Sequence, residues 1–75
     1  MSDLINDPAH YQRGGMQSID VIEAFELNYR RGNAVKYLLR AGHKDNELED
    51  LRKCAWYLAR EIKALEREIE ALERA

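Results

Sequence analysis

Apolar residues in the C-terminal part of the chain recur at alternating spacings of three and four. Leu48, Leu51, Ala55, Leu58, Ile62, Leu65, Ile69 and Leu72 form this series. It reads as an a/d seam, with Ile62 and Ile69 at a and a leucine at every d position. Upstream the apolar positions fall into two shorter groups. Ile19, Val21, Ile22 and Phe25 predict a first helix, capped by Ser18, with Asp20 in its first turn and an end near Leu27 or Asn28. Val35, Leu38 and Leu39 predict the buried side of a second helix, with Asn33 as its N-cap and an end at Arg40 or Ala41. Gly42 follows as a left-handed terminator, and Asn46 with Glu49 gives a capping-box signal for the third helix. Residues 1–17, punctuated by Pro8 and Gly14-Gly15, read as irregular, and no strand period occurs. The expected fold is all-α and a single small domain over residues 1–75: two short helices and one long coiled-coil-like helix over residues 47–74.

A helix of that length spans roughly 40 Å, which two short helices cannot cover. From about Lys63 onward the seam therefore needs an apolar partner on another chain, and an oligomeric helical assembly is expected. Leu58, Ile62, Leu65, Ile69 and Leu72 are its contact residues. Glu61, Glu66, Glu68 and Glu73 flank the seam at e and g positions. Each like-charged pair across it costs about a few tenths of a kcal/mol. That permits a homo-oligomer without favouring a two-stranded one.

Composition narrows the class. At 75 residues a lone core is marginal without partners. One cysteine, Cys54, excludes an intramolecular disulfide and suits a reducing compartment; its place among apolar positions makes it a buried bystander. A net charge of −2 argues against a wholesale nucleic-acid binder with a strongly basic surface. The N-terminus has no apolar leader and no stretch reaches membrane-spanning length, so a cytoplasmic protein is expected.

Phosphate loops of the GxxxxGK[ST] type, GxGxxG, CxxC and HExxH motifs are all missing. The remaining chemistry is a cationic set around the second helix. Asn33, Lys36 and Arg40 fall at i, i+3 and i+7 and share a helical face, with Arg30, Arg31, His43 and Lys44 nearby. Arginine offers a fork for phosphate oxygens, lysine a mobile charge, and a helix N-terminus at Gly32-Asn33 free amides. A solvated face that balances the acids of the third helix explains the same residues. His10 and Tyr11 are candidates for contacting a base or sugar, or for packing a loop. Two i, i+3 acid pairs, Asp20 with Glu23 and Glu47 with Asp50, resemble the carboxylate pairs of helical pyrophosphatases and suggest Mg²⁺ at Asp50.

The runs HY, IDVIEAF, GNAVKYLLRAGHKDN and EDLRKCAWYL, over roughly residues 9–62, resemble the small bacteriophage family called SaV-like. The K-Y-x-x-R-x-G and D-L-x-K-x-x-x-Y-L patterns carry the likeness. A longer phage deoxynucleoside monophosphate kinase, a large oligomer without a Walker loop, contains a similar segment. The resemblance implies a phage-encoded nucleotide-binding protein of kinase-like ancestry, and it matches His10, Tyr11, Asn33, Lys36, Tyr37, Arg40, Asp50 and Lys53 to the shared pattern. In this reading Lys36, Arg40 and Lys44 hold phosphate with Asn33, and a deoxynucleotide is the ligand. A different class of reading is a non-enzymatic antagonist of a host defence complex, in which Glu66 and Glu68 on the acidic C-terminal helix contact a basic surface. A Mg²⁺-dependent nucleoside triphosphate pyrophosphatase is the third.

Overall fold

A computed structural model describes residues 16–43 and 46–75. It contains three helices, α1 (Ser18–Ala24), α2 (Tyr29–Arg40) and α3 (Glu47–Arg74), and no strand among the described residues. The all-α expectation holds, with two short helices preceding a long one. None of these helices is long and apolar enough to cross a membrane.

Helix boundaries upstream of α3 differ from those expected. The N-cap of α1 is Gln17, not Ser18, because the Asp20 carboxylate accepts the Gln17 backbone N–H at 2.9 Å. Ser18 becomes the first helical residue and is buried. The helix also ends at Ala24, earlier than the Leu27 or Asn28 expected, where Leu27 N–H closes back onto the Ile22 carbonyl and Glu26 takes a positive φ of 52°. Asn28 is thereby freed to cap α2, its side chain accepting the Arg31 N–H at 2.8 Å.

Asn33 is consequently an interior residue of α2 rather than its cap, and its side-chain amide donates to the Tyr29 carbonyl at 2.9 Å. Gly32 is likewise helical, and a Cβ there would meet Ile22 Cγ2 at 3.3 Å. The glycine serves close approach of α1 to α2, not a turn. Gly42 is the turn residue, with φ of 88° just beyond the end of α2.

Helix α2 lies along the N-terminal half of α3, and ion pairs fix their antiparallel register at both ends. Arg30 meets Glu61, and ten residues later Arg40 meets Asp50, eleven residues earlier on α3. Ten and eleven residues rise by roughly 15 and 16 Å, so the two helices keep pace. The face of α3 so covered carries Asp50, Cys54 and Glu61, all buried.

That face is not the seam. Leu48, Leu51, Leu58, Ile62, Leu65, Ile69 and Leu72 remain between 39% and 76% exposed. At 100° per residue the seam lies roughly a quarter-turn from the α2-facing line. The expectation that the short helices cover its first half is therefore corrected: the seam is open along its whole length. Phe25, Ile19, Leu38 and Leu39, expected inside, are also exposed. Buried apolar residues among those described reduce to Ala34 and Cys54. The radius of gyration is 14.9 Å, against about 11 Å for a compact chain of this length.

Replacing Gly42 by alanine places a Cβ on the left-handed turn at φ 88°. This is expected to lower the unfolding free energy by about 1 kcal/mol, read as a shifted midpoint in urea. An unshifted midpoint would show that the turn relaxes without strain.

A candidate functional site between the second and third helices

Three groups of polar and aromatic side chains meet where α2 lies on α3. At one end, the Glu61 carboxylate gathers donors from the start of α2. Arg30 Nε reaches Oε1 at 2.6 Å, and Arg31 Nε reaches Oε2 at 2.6 Å. Asn28 Nδ2 donates to the same Oε2 at 3.0 Å. Glu61 is 6% exposed, while both arginines remain open to solvent along their outer edges. The hydrogen bond from Arg30, followed by those from Asn28 and Arg31, holds the carboxyl down to about 2 against the opposing effect of burial.

At the other end Arg40 Nε and Asp50 Oδ2 approach to 3.3 Å, with Asp50 buried at 3% exposure. Their alignment does not make a hydrogen bond, so the pair is held by charge. A Mg²⁺ ligand at Asp50 finds a guanidinium in front of it rather than further oxygen donors, and no group of three or more His, Cys, Asp or Glu that can hold a metal occurs among the described residues. Asp20, from the other proposed acid pair, is engaged with the Gln17 N–H. The residues present do not fit the cation.

Between the two ends lies a cluster of rings. Tyr37 of α2 stacks on Tyr57 of α3 with centroids 6.0 Å apart and planes within 11°. Tyr29 meets Tyr57 edge-on at 6.0 Å, and hydrogen bonding with Tyr29 keeps the Tyr57 phenol above its ordinary pKa. Lys53 and Lys36 bring their ammonium groups to 5.3 and 5.6 Å from the Tyr37 ring centre. Trp56 borders the cluster on α3, with the Arg60 guanidinium 5.3 Å from its centre. Cys54 stays buried beneath, and burial pushes its thiol pKa up, as befits a bystander.

The residues that spacing lined up on α2 are thus divided among different partners. Asn33 bonds its own helix, Arg40 faces Asp50, and Lys36 lies over Tyr37 while also lining a shallow groove of about 480 Å³ with Ile22, Asp20 and Glu23. Free amides are not found at Gly32-Asn33, since the Gly32 N–H bonds the Asn28 carbonyl at 2.8 Å. His10, Tyr11 and Lys44 lie outside the described residues. Glu66 and Glu68 are exposed on α3, as are Leu58, Ile62, Leu65, Ile69 and Leu72.

Tyr29, Lys53, Trp56 and Tyr57 were not among the candidates taken from spacing. For Lys53 and Tyr57 the signal lay in the second of the two patterns, whereas Tyr29 lies outside both and Trp56 at an unspecified position. Lys36 and Tyr37 from one, with Lys53 and Tyr57 from the other, build the ring cluster. Arg40 and Asp50 build the buried pair, and Gly42 makes the turn that lets the two segments face each other.

Because Glu61 has a lowered pKa, it stabilises the fold fully above about pH 4.5, and that contribution disappears as pH falls toward about 2. Melting temperature across this window is expected to fall more for the parent chain than for Glu61→Gln, which lacks the titration and melts lower at neutral pH. Parallel curves for the two would remove Glu61 from its anchoring role. Asn28→Ala, losing both the cap and a Glu61 donor, is expected to cost about 1 kcal/mol.

No curated protein and no solved structure shows significant similarity to this chain. The sequence profile of one family, described as a protein of unknown function (DUF3310), matches residues 5–59, a stretch that contains α1, α2, the ring cluster and the buried Arg40–Asp50 pair. The chain belongs to the DUF3310 family.

Proposed function

We propose that this chain is a nucleotide-binding helical protein that works as an assembly of copies. The observation that carries the reading is the convergence of Tyr37, Tyr57, Lys36 and Lys53 from two helices onto one face. Aromatic rings offer a flat surface on which a base stacks, worth about 1–3 kcal/mol per base. Ammonium groups beside the rings supply mobile point charges for phosphate. Tyr29 and Trp56 stand exposed at the margins of the cluster, so a ring-shaped ligand has open faces to meet. The SaV-like resemblance, with its kinase-like kin, points to a deoxynucleotide. The side chains at the site hold and orient such a ligand, and none is placed as a nucleophile or general base.

Assembly follows from the open seam. Its leucines and isoleucines are 39–76% exposed, and complete coverage of them by a second copy would bury at most about 1,200 Å² in all, the lower bound of a specific interface. A second copy of α3 has the matching period. Glu61, which would repel a partner's glutamate as a seam flank, is already paired with two arginines. An antagonist of a host complex, reached through exposed Glu66 and Glu68, is a second reading that the same open helix favours.

Calorimetry against deoxynucleoside mono- and triphosphates is expected to show binding that weakens at least tenfold in the Lys36→Glu, Lys53→Glu double variant. Silence at millimolar ligand, or binding indifferent to both substitutions, would overturn the nucleotide reading. Sedimentation equilibrium is expected to give a mass of at least two chains, reduced by Ile62→Asp with Leu65→Asp. A monomeric parent chain would overturn the assembly.

A further inference from the structure

The side of α3 turned away from the seam carries an uneven share of its cations. Taking 100° per residue, Lys53, Trp56, Arg60, Lys63, Arg67 and Arg74 fall within an arc of roughly 80°. All six are exposed. Within that arc Glu49 is the one acid, and it pairs with Lys53 at 3.6 Å; Glu70 stands at the border. The acids Asp50, Glu61, Glu66, Glu68 and Glu73 lie on the α2 side or beside the seam. A chain of net charge −2 thus presents one strongly cationic line.

The line begins at the ring cluster, where Lys53 lies over Tyr37 and Arg60 over Trp56. From there it continues down α3 for roughly 30 Å, far beyond the reach of a mononucleotide. We infer that the ring cluster and this line form one continuous track for single-stranded nucleic acid, the proposed nucleotide site being its stacking end; the inference rests on that reading.

Three features select this ligand. Rings on which bases stack, joined to a groove or line of cations that follows a backbone, are the general means of holding single strands, with site sizes of about 4–16 nucleotides. A duplex keeps its bases stacked on each other and leaves Tyr29 and Trp56 without a use. An anionic lipid surface would engage α3 through its apolar face, and the flanks of that face are Glu66, Glu68 and Glu73, which such a surface repels. The line is also roughly 160° from the seam, so pairing of two α3 helices leaves it open.

Trp56 is the chain's single tryptophan and serves as the reporter. Titration of the intact protein with a thymidine 20-mer in low salt is expected to quench its emission and to show affinity at least tenfold above that of thymidine monophosphate per nucleotide. Affinity should fall steeply with added salt, as expected when several phosphates are neutralised. Lys63→Glu with Arg67→Glu changes exposed residues away from the ring cluster. It is expected to weaken the 20-mer at least tenfold while leaving thymidine monophosphate binding unchanged. Equal affinity per nucleotide for 20-mer and monophosphate, or tighter binding to duplex or to phosphatidylserine vesicles, overturns the track and leaves the nucleotide site standing. Binding of neither nucleotide form overturns both.

Discussion

The position of α2 on α3 is set by one carboxylate. Glu61 accepts Arg30, Arg31 and Asn28, three donors from the first turn of α2 and its cap. Asn28 serves twice, ending the orphan state of the Arg31 N–H with its Oδ1 and holding Glu61 with its Nδ2. The start of α2 is therefore defined and anchored by the same residue. Once it is pinned at Glu61, the antiparallel run brings Tyr37 over Tyr57 and Arg40 to Asp50, and the remaining contacts follow from equal rise along the two helices.

An interface of this kind specifies geometry more than it supplies stability. Ion pairs with solvent-open arginines contribute little each, and a buried charged pair such as Arg40 with Asp50 recovers its desolvation only in part. Ala34 and Cys54, the buried apolar side chains among the described residues, are both small. Apolar area has instead been left on the seam of α3, where α2 does not reach. The division is consistent: polar groups select which face of α3 is covered within the chain, and the apolar stripe is kept for burial elsewhere. A core of leucines between α2 and α3 would have used up the stripe.

The long helix and its seam were legible because a repeat of three and four needs only local sequence. The boundaries of the short helices were not, because two asparagines compete for the cap of α2. Asn33 follows Gly32 and imitates a turn, yet Asn28 gains a long-range donor role at Glu61 that no local window contains. Gly32 read as part of a helix N-terminus but lies inside α2 and marks a close approach to Ile22. Heptad position assigned Glu61 to a solvent flank, although α2 covers it. The patterns containing Lys36, Tyr37, Arg40, Asp50, Lys53 and Tyr57 were visible as strings; that they interlock required the register of two helices.

Three lines run along α3, and their separation explains why net charge says so little about this chain. One line, buried, carries Asp50 and Glu61 and takes its cations from α2. A second, the seam, is apolar and bordered by acids. The third is cationic and begins beside the rings. While α2 supplies Arg30, Arg31 and Arg40 to the buried acids, Lys53 of α3 pairs with the exposed Glu49 of its own helix and stays on the outer side. The acid clasp and the open cationic line lie on separate faces of α3, the first neutralised by α2 and the second set by the spacing of Lys53, Arg60, Lys63, Arg67 and Arg74 along the helix.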